Sequence, residues 1–107
     1  MRVDQSRKIA YWHRDLPPPG ADPAGEYVVE ATSRQVNGAF SHRDEIWDEC
    51  YDDLMVHACA RIEQEVARLE GLYAHVLNES IDVRRNDQTS RAWLHGQFRY
   101  VLYRRPV

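Results

Sequence analysis

Three side chains that can ligate a divalent metal recur at every fourth position in the middle of the chain. Glu49, Asp53 and His57 stand at i, i+4 and i+8, and a helix places residues four apart on one face. Carboxylate oxygens and imidazole nitrogens are ligands for zinc and similar ions. We expect this row to lie roughly opposite the apolar stripe of its helix, facing solvent. Two interpretations stay open: a metal site completed by another element, or a solvated helix face with an Asp53–His57 pair.

A second set of candidate residues lies on one face of the last predicted strand, where successive side chains alternate between two faces. These residues are Trp93, His95, Val101 and Tyr103. A polar group among aromatic side chains is typical of a ligand-binding site, so this face is a candidate for binding a small molecule or a protein. If the site were catalytic, His95 would be the general base, and Glu65 or Glu79 would be the carboxylate that orients it.

The chain offers no recognisable nucleophile. Cys50 and Cys59 lie nine residues apart on the same predicted helix, so their Cα atoms would be about 13 Å apart, beyond the reach of a disulfide. We expect both to be small buried hydrophobic side chains. The chain also lacks the motifs of P-loops, dinucleotide-binding folds, serine hydrolases and zinc proteases. The sequence therefore predicts no catalytic residue and no cofactor, with a divalent metal as the alternative.

The size and charge of the chain limit its classes of function. At 107 residues there is room for one domain, spanning residues 1–107. The formal net charge of −3 gives no general attraction to nucleic acid or an anionic membrane, and no stretch approaches the roughly 20 apolar residues of a membrane span. The first residues contain no apolar signal sequence. We therefore expect a cytoplasmic protein that binds neither nucleic acid nor membranes.

Charged residues are distributed unevenly along the chain. Residues 44–53 contain six acidic side chains, whereas residues 84–105 contain six arginines and a single aspartate. We interpret these regions as two solvated faces, or as regions that attract each other within the fold or across a dimer. The alternative is a docking patch for a charged partner.

One long helix is the strongest predicted element. Ser41 can cap its first turn, and Gly71 is a good residue for the position just after a helix, so we expect a helix that runs to Glu70. Apolar residues repeat along it at steps of three and four, which is the helical period. They are Trp47, Tyr51, Leu54, Ala58, Ile62, Val66 and Leu69.

Strands are predicted on both sides of this helix. Residues 8–15 and 26–36 are rich in β-formers, and the prolines between them predict a loop or extended arm over residues 16–24. Residues 73–83 and 92–103 alternate with period two and predict an antiparallel hairpin. In the first of these two strands, one face would be shared by Tyr73, His75, Leu77, Ile81 and Val83. The expected fold class is α+β: one long amphipathic helix packed across a small antiparallel sheet, in the order β(β)-α-β-β.

A single helix can cover only one face of such a sheet. The opposite face would carry His95 beside a tryptophan, a valine and a tyrosine, and these are too many large apolar side chains to leave in water. We expect a second subunit to cover this face, with the proline-rich arm or a ligand as alternatives. The sequence thus favours a non-enzymatic binding or regulatory module acting as a homodimer. The alternative is a small enzyme or metal-dependent protein that uses His95 or the helix row.

Three stretches of the chain resemble a family of short bacterial proteins to which no activity is assigned. These are YWHRDLPP at 11–18, GEYVVEATS at 25–33 and AWLHGQFRYVLYRRP at 92–106. The resemblance covers most of the chain, implies a bacterial cytoplasmic protein, and brings no catalytic residues with it. The order of elements is also loosely similar to that of the YbjQ-like heavy-metal-binding family, whose sequence pattern this chain does not match.

Overall fold

The computed structural model describes residues 8–40 and 43–106 of the chain. One helix packs on one face of a sheet, so the predicted α+β class is confirmed. In chain order the elements are β1 (Ala10–Trp12), β2 (Asp22–Thr32), β3 (Val36–Asn37), a 3₁₀ turn (Gly38–Phe40), α1 (Asp44–Arg68), β4 (Tyr73–Asn86) and β5 (Arg91–Arg104).

The described strands form a sheet in the order β1-β4-β5-β2, with β3 also paired to β5. Strand β5 is antiparallel to β4, β2 and β3, but β1 runs parallel to β4. The sheet is therefore mixed, where the sequence predicted an antiparallel one. Parallel pairing needs a long crossover connection, and the chain supplies one because β2, β3 and α1 all lie between β1 and β4.

Helix α1 buries a stripe of residues spaced four apart. The stripe consists of Cys50, Leu54, Ala58, Ile62 and Val66. Tyr51, expected in the stripe, is 42% exposed, and Trp47 is only partly buried. The buried stripe is thus rotated about the helix axis toward Cys50. No helix among the described residues has both the length and the apolar character needed to cross a membrane.

The two ends of α1 differ from the predicted caps. The expected cap Ser41 lies outside the described residues. In the structure the N-cap is Arg43, whose side chain makes no capping hydrogen bond. Asp44 and Glu45 occupy the first turn, where negative charge interacts favourably with the positive end of the helix dipole.

The C-terminal end of α1 is a Schellman motif. The Gly71 N–H donates to the carbonyl oxygen of Val66 at 2.8 Å, and the Glu70 N–H donates to that of Ala67 at 3.1 Å. The left-handed residue of the motif is Glu70, with φ of 59°, not the glycine that follows it. Gly71 is required for another reason, since a Cβ there would overlap the side chain of Leu102.

A β-bulge in β4 exchanges the faces of this strand. The pairing with β5 shifts register between Val76 and Asn78, so Leu77 is an extra residue and the alternation reverses after it. Before the bulge His75 faces away from α1; after it Ile81 lies on the side of α1, opposite Gly96. The prediction that His75, Leu77 and Ile81 share one face is therefore wrong. We call the α1 side of the sheet the core face and the other side the outer face.

The core lies between α1 and the core face of β5. Phe98, Tyr100 and Leu102 are fully buried there, as the period-two pattern of this strand predicted. The helix lies mainly over β2 and β5 rather than β4. One consequence is that Val83, on the core face of β4, stays 46% exposed.

The proline-rich segment folds back onto one end of the outer face. The Tyr73 hydroxyl donates to the Pro18 carbonyl oxygen at 2.6 Å, and the Tyr73 ring stacks on Tyr103 with centroids 5.2 Å apart. The segment is shorter than predicted, because β2 already begins at Asp22 and includes Pro23 beside a register shift. The arm is therefore one of the groups that cover this face.

Candidate functional site

His95 lies on the outer face of β5 and is only 9% exposed. Its Nε2 lies 2.8 Å from Glu30 Oε1 on β2. Its Nδ1 lies 3.4 Å from Asp82 Oδ1 and 3.3 Å from Arg84 Nη2, both on β4. The imidazole thus connects three adjacent strands through three charged side chains.

The partners of His95 decide where its protons sit. Nε2 faces a carboxylate, which only accepts, so Nε2 carries a hydrogen and donates it to Glu30. Nδ1 faces both a donor and an acceptor: the neutral ring accepts from Arg84, and the protonated ring donates to Asp82. The His95 hydrogen bond holds the pKa of Glu30 below its ordinary value. The pKa of Asp82 is also lowered, first by its hydrogen bond from Arg84 and then by His95.

Neither carboxylate predicted to orient His95 does so. Glu65 accepts a hydrogen bond from Arg68 Nη2 at 2.7 Å on the helix surface, and this bond lowers its pKa. Glu79 lies on the core face of β4, where its Oε1 lies 3.9 Å from His13 Nε2. Glu30 takes the orienting position instead.

The row of Glu49, Asp53 and His57 on α1 contacts the end of β2 and the residues that follow it. His57 Nδ1 lies 2.7 Å from the Thr32 carbonyl oxygen, so it carries a hydrogen and donates it. The backbone N–H of Arg34 donates to Asp53 Oδ2 at 2.5 Å, and the Arg34 guanidinium donates to Glu49 at 2.9 Å. Each member of the row therefore holds part of the segment that leaves β2.

Glu49 and His57 are exposed, as expected, but the row does not lie opposite the apolar stripe. Asp53 and His57 directly precede the buried residues Leu54 and Ala58, and one residue turns a helix by only about 100°. The row flanks the stripe instead of lying opposite it. The Asp53–His57 pair is present at 3.7 Å, but no cluster of three or more metal-ligating side chains exists within residues 8–40 and 43–106.

The two histidines predicted as separate candidates line one cavity of about 330 Å³. It lies where α1 passes the free edge of β2. Its walls are Glu30, Ala31, Thr32, His57, Arg61 and His95, and we call it the histidine cavity. The sequence pattern identified His57 and His95 as candidates, but missed Glu30, Thr32 and Arg61. The separation of Glu30 and His95 by 65 positions left no local signal for their pairing.

The other residues predicted on this face do not form one aromatic site. Tyr103 and Val101 lie at the end beside the arm, and Trp93 lies at the other end, opposite Arg84. Between them the exposed Arg99 forms an ion pair with Glu26 at 2.8 Å. Charged side chains thus separate the two aromatic ends of the outer face, Tyr73 and Tyr103 at one end and Trp93 at the other.

The cysteines differ in environment. Cys50 is fully buried in the core, as expected. Cys59 is partly exposed, and its thiol lies 3.7 Å from Glu63 Oε2. Burial, followed by the nearby Glu63 carboxylate, raises the pKa of the Cys59 thiol, which disfavours the reactive thiolate.

No protein-family model, curated protein or solved structure matches this chain. Its function must therefore be inferred from the residues described above.

Proposed function

We propose that this protein is a non-enzymatic binding module that takes a small organic anion in the histidine cavity. The observation that carries the proposal is Arg61, which lines the cavity beside His57 and His95. The volume of about 330 Å³ lies within the range of small-molecule sites.

The charges around the cavity favour a negatively charged ligand group. Arg61 is always protonated, and its guanidinium forms no hydrogen bond or ion pair with any side chain in the described part of the chain. Glu30 is the only acid in the cavity wall, and its carboxylate already accepts from His95. A carboxylate or phosphate can therefore pair with Arg61 without displacing an existing partner.

Fixed polar groups on both sides of the cavity support this proposal. His57 is held by the Thr32 carbonyl and His95 by Glu30 and Asp82. Side chains that are already ordered lose little conformational freedom when a ligand binds. The cavity is therefore partly preorganised before the anion arrives.

The contacts of His95 favour a binding role over a catalytic one for this residue. A general base needs a ring nitrogen within reach of the proton that it abstracts. Nε2 of His95 is occupied by Glu30, and its Nδ1 is occupied by Arg84 and Asp82. Nδ1 of His57 donates to the Thr32 carbonyl, and its Nε2 lies 3.7 Å from Asp53 Oδ1, beyond hydrogen-bond distance. We also propose a cytoplasmic location, because both cysteines are free thiols as is usual in a reducing compartment.

A thermal-shift screen with small carboxylates and phosphate esters tests the proposal. A ligand at 100 times its Kd should raise the free energy of unfolding by about 2.7 kcal/mol. The Arg61→Ala variant should lose the shift, while Arg99→Ala, which removes an equal charge on the outer face, should keep it. Circular dichroism of each variant checks that its fold is intact.

Three results would count against this function. One is the absence of any saturable shift across the anion panel. Another is a shift that Arg61→Ala retains in full. The third is a response only to divalent metals that a chelator reverses, which would favour the metal-dependent alternative.

A further inference from the structure

The distal half of β4 is an open edge of the sheet. Strand β1 pairs with β4 only at Ala74, His75 and Val76. Beyond these, no strand in the described part of the chain pairs with the outer edge of residues 78–86. Nine residues of strand span about 30 Å, and such an edge presents a row of unpaired backbone donors and acceptors to another chain.

Apolar side chains accompany this edge on the core face. Because α1 lies mainly over β2 and β5, Ile81 is only partly buried and Val83 is 46% exposed. Proteins usually protect a long edge strand with charged side chains, a bulge, a proline or a covering element. The bulge of β4 lies at Leu77, at the start of this segment, and in the described part of the chain the remainder is protected by its charged side chains alone.

The charged side chains of this segment can pair with those of the same segment in a second copy. Asp82 and Arg84 lie two residues apart on the outer face, where they form an ion pair at 2.7 Å within one chain and remain 53% and 51% exposed. If two copies pair antiparallel about a two-fold axis at Val83, Asp82 of each copy lies directly opposite Arg84 of the other. Opposite charges in directly paired positions stabilise a sheet, and like charges destabilise it. The neighbouring register, centred on Asp82, would place this aspartate against itself.

We propose that a second copy of this chain pairs with residues 80–86 of β4 in this register. The two sheets then form one continuous sheet, and the exposed Val83 side chains meet at the axis. A two-fold contact of this kind uses the same patch on both copies. This edge of β4 and the anion site beside β2 lie on opposite sides of β5, but they share the contacts of His95, whose Nδ1 lies near both Asp82 and Arg84.

Light-scattering mass across a range of concentrations tests the dimer. We expect twice the 12.6 kDa of one chain, with dissociation on dilution. Val83→Lys places a charge at the axis and should give a monomer, whereas Val28→Lys, at a 57% exposed position on β2, should leave the dimer intact. A wild-type monomer at every concentration would overturn the proposal. So would a dimer broken only by Val28→Lys.

A mixing experiment distinguishes a lost contact from a lost fold. Asp82→Arg leaves two arginines at positions 82 and 84, and Arg84→Asp leaves two aspartates, so each variant alone should be monomeric. An equal mixture restores both opposite-charge pairs and should form a heterodimer with the wild-type mass. Failure of the mixture to associate, with both variants folded by circular dichroism, would exclude this register.

Discussion

The left-handed residue that follows α1 allows a direct test of backbone geometry. Glu70 has φ of 59°, a conformation that costs a residue with a Cβ roughly 1–2 kcal/mol. Glycine avoids this cost, although it loses about 0.5–1 kcal/mol more in backbone entropy on folding. Glu70→Gly should therefore be about 0.5–1 kcal/mol more stable than Glu70→Ala. Both variants remove the same carboxylate from the negative end of the helix dipole, so their difference isolates the backbone effect.

Gln64 provides the matched control for this comparison. It is exposed within α1, where glycine is about 1 kcal/mol less favourable than alanine. The order of the glycine and alanine variants should thus reverse between positions 64 and 70, as measured by urea titration with linear extrapolation. A Glu70→Gly protein less stable than Glu70→Ala would refute a left-handed residue at the helix end.

Three further perturbations follow from the packing and charges. Gly71→Ala should cost about 1–3 kcal/mol by overpacking, because its Cβ would overlap Leu102; an unchanged urea midpoint would contradict this close approach. Tyr73→Phe removes the donor to Pro18 and should cost about 0.5–1.5 kcal/mol, with faster amide exchange confined to the arm; a change spread over the whole sheet would argue against a local contact. Because the pKa of Glu30 is lowered in the folded state, this state binds fewer protons than the unfolded state in the acid range. The stability that the carboxylate gives is therefore complete above its ordinary pKa of 4.5 and is lost as the pH falls below that value. Glu30→Gln should flatten the acid side of the stability–pH curve, and an unaltered curve would show that this carboxylate contributes nothing.

Local periodicity predicted the elements well, because it depends on neighbouring residues. The alternation along β5 correctly placed Phe98, Tyr100 and Leu102 in the core. The helical period also gave α1, but not the angle about its axis. The helical period alone would allow Trp47 and Tyr51 to be buried. It is the position of the helix over β2 and β5 that buries Cys50 instead.

The face assignment in β4 failed for a different reason. A bulge adds one residue and reverses the alternation, but Leu77 has no local property that identifies it as the extra residue. Its identity follows from the pairing of Val76 with Tyr100 and of Asn78 with Arg99. Register between strands is set by tertiary pairing, which a single sequence does not reveal.

The interpretation of His95 shows how a residue type differs from its role. An imidazole beside aromatic residues suggested a binding site, with a general base as the role if the site were catalytic, yet its neighbours in space are Glu30, Asp82 and Arg84. These contacts connect β2, β5 and β4, so the main role of His95 is to join three strands. Because both ring nitrogens of His95 are engaged, the groups left for a ligand are the Arg61 guanidinium and Nε2 of His57. Both belong to α1, so their significance depends on α1 passing the β2 edge. The chemistry of the cavity is therefore a property of the packing between helix and sheet rather than of any one segment of the chain.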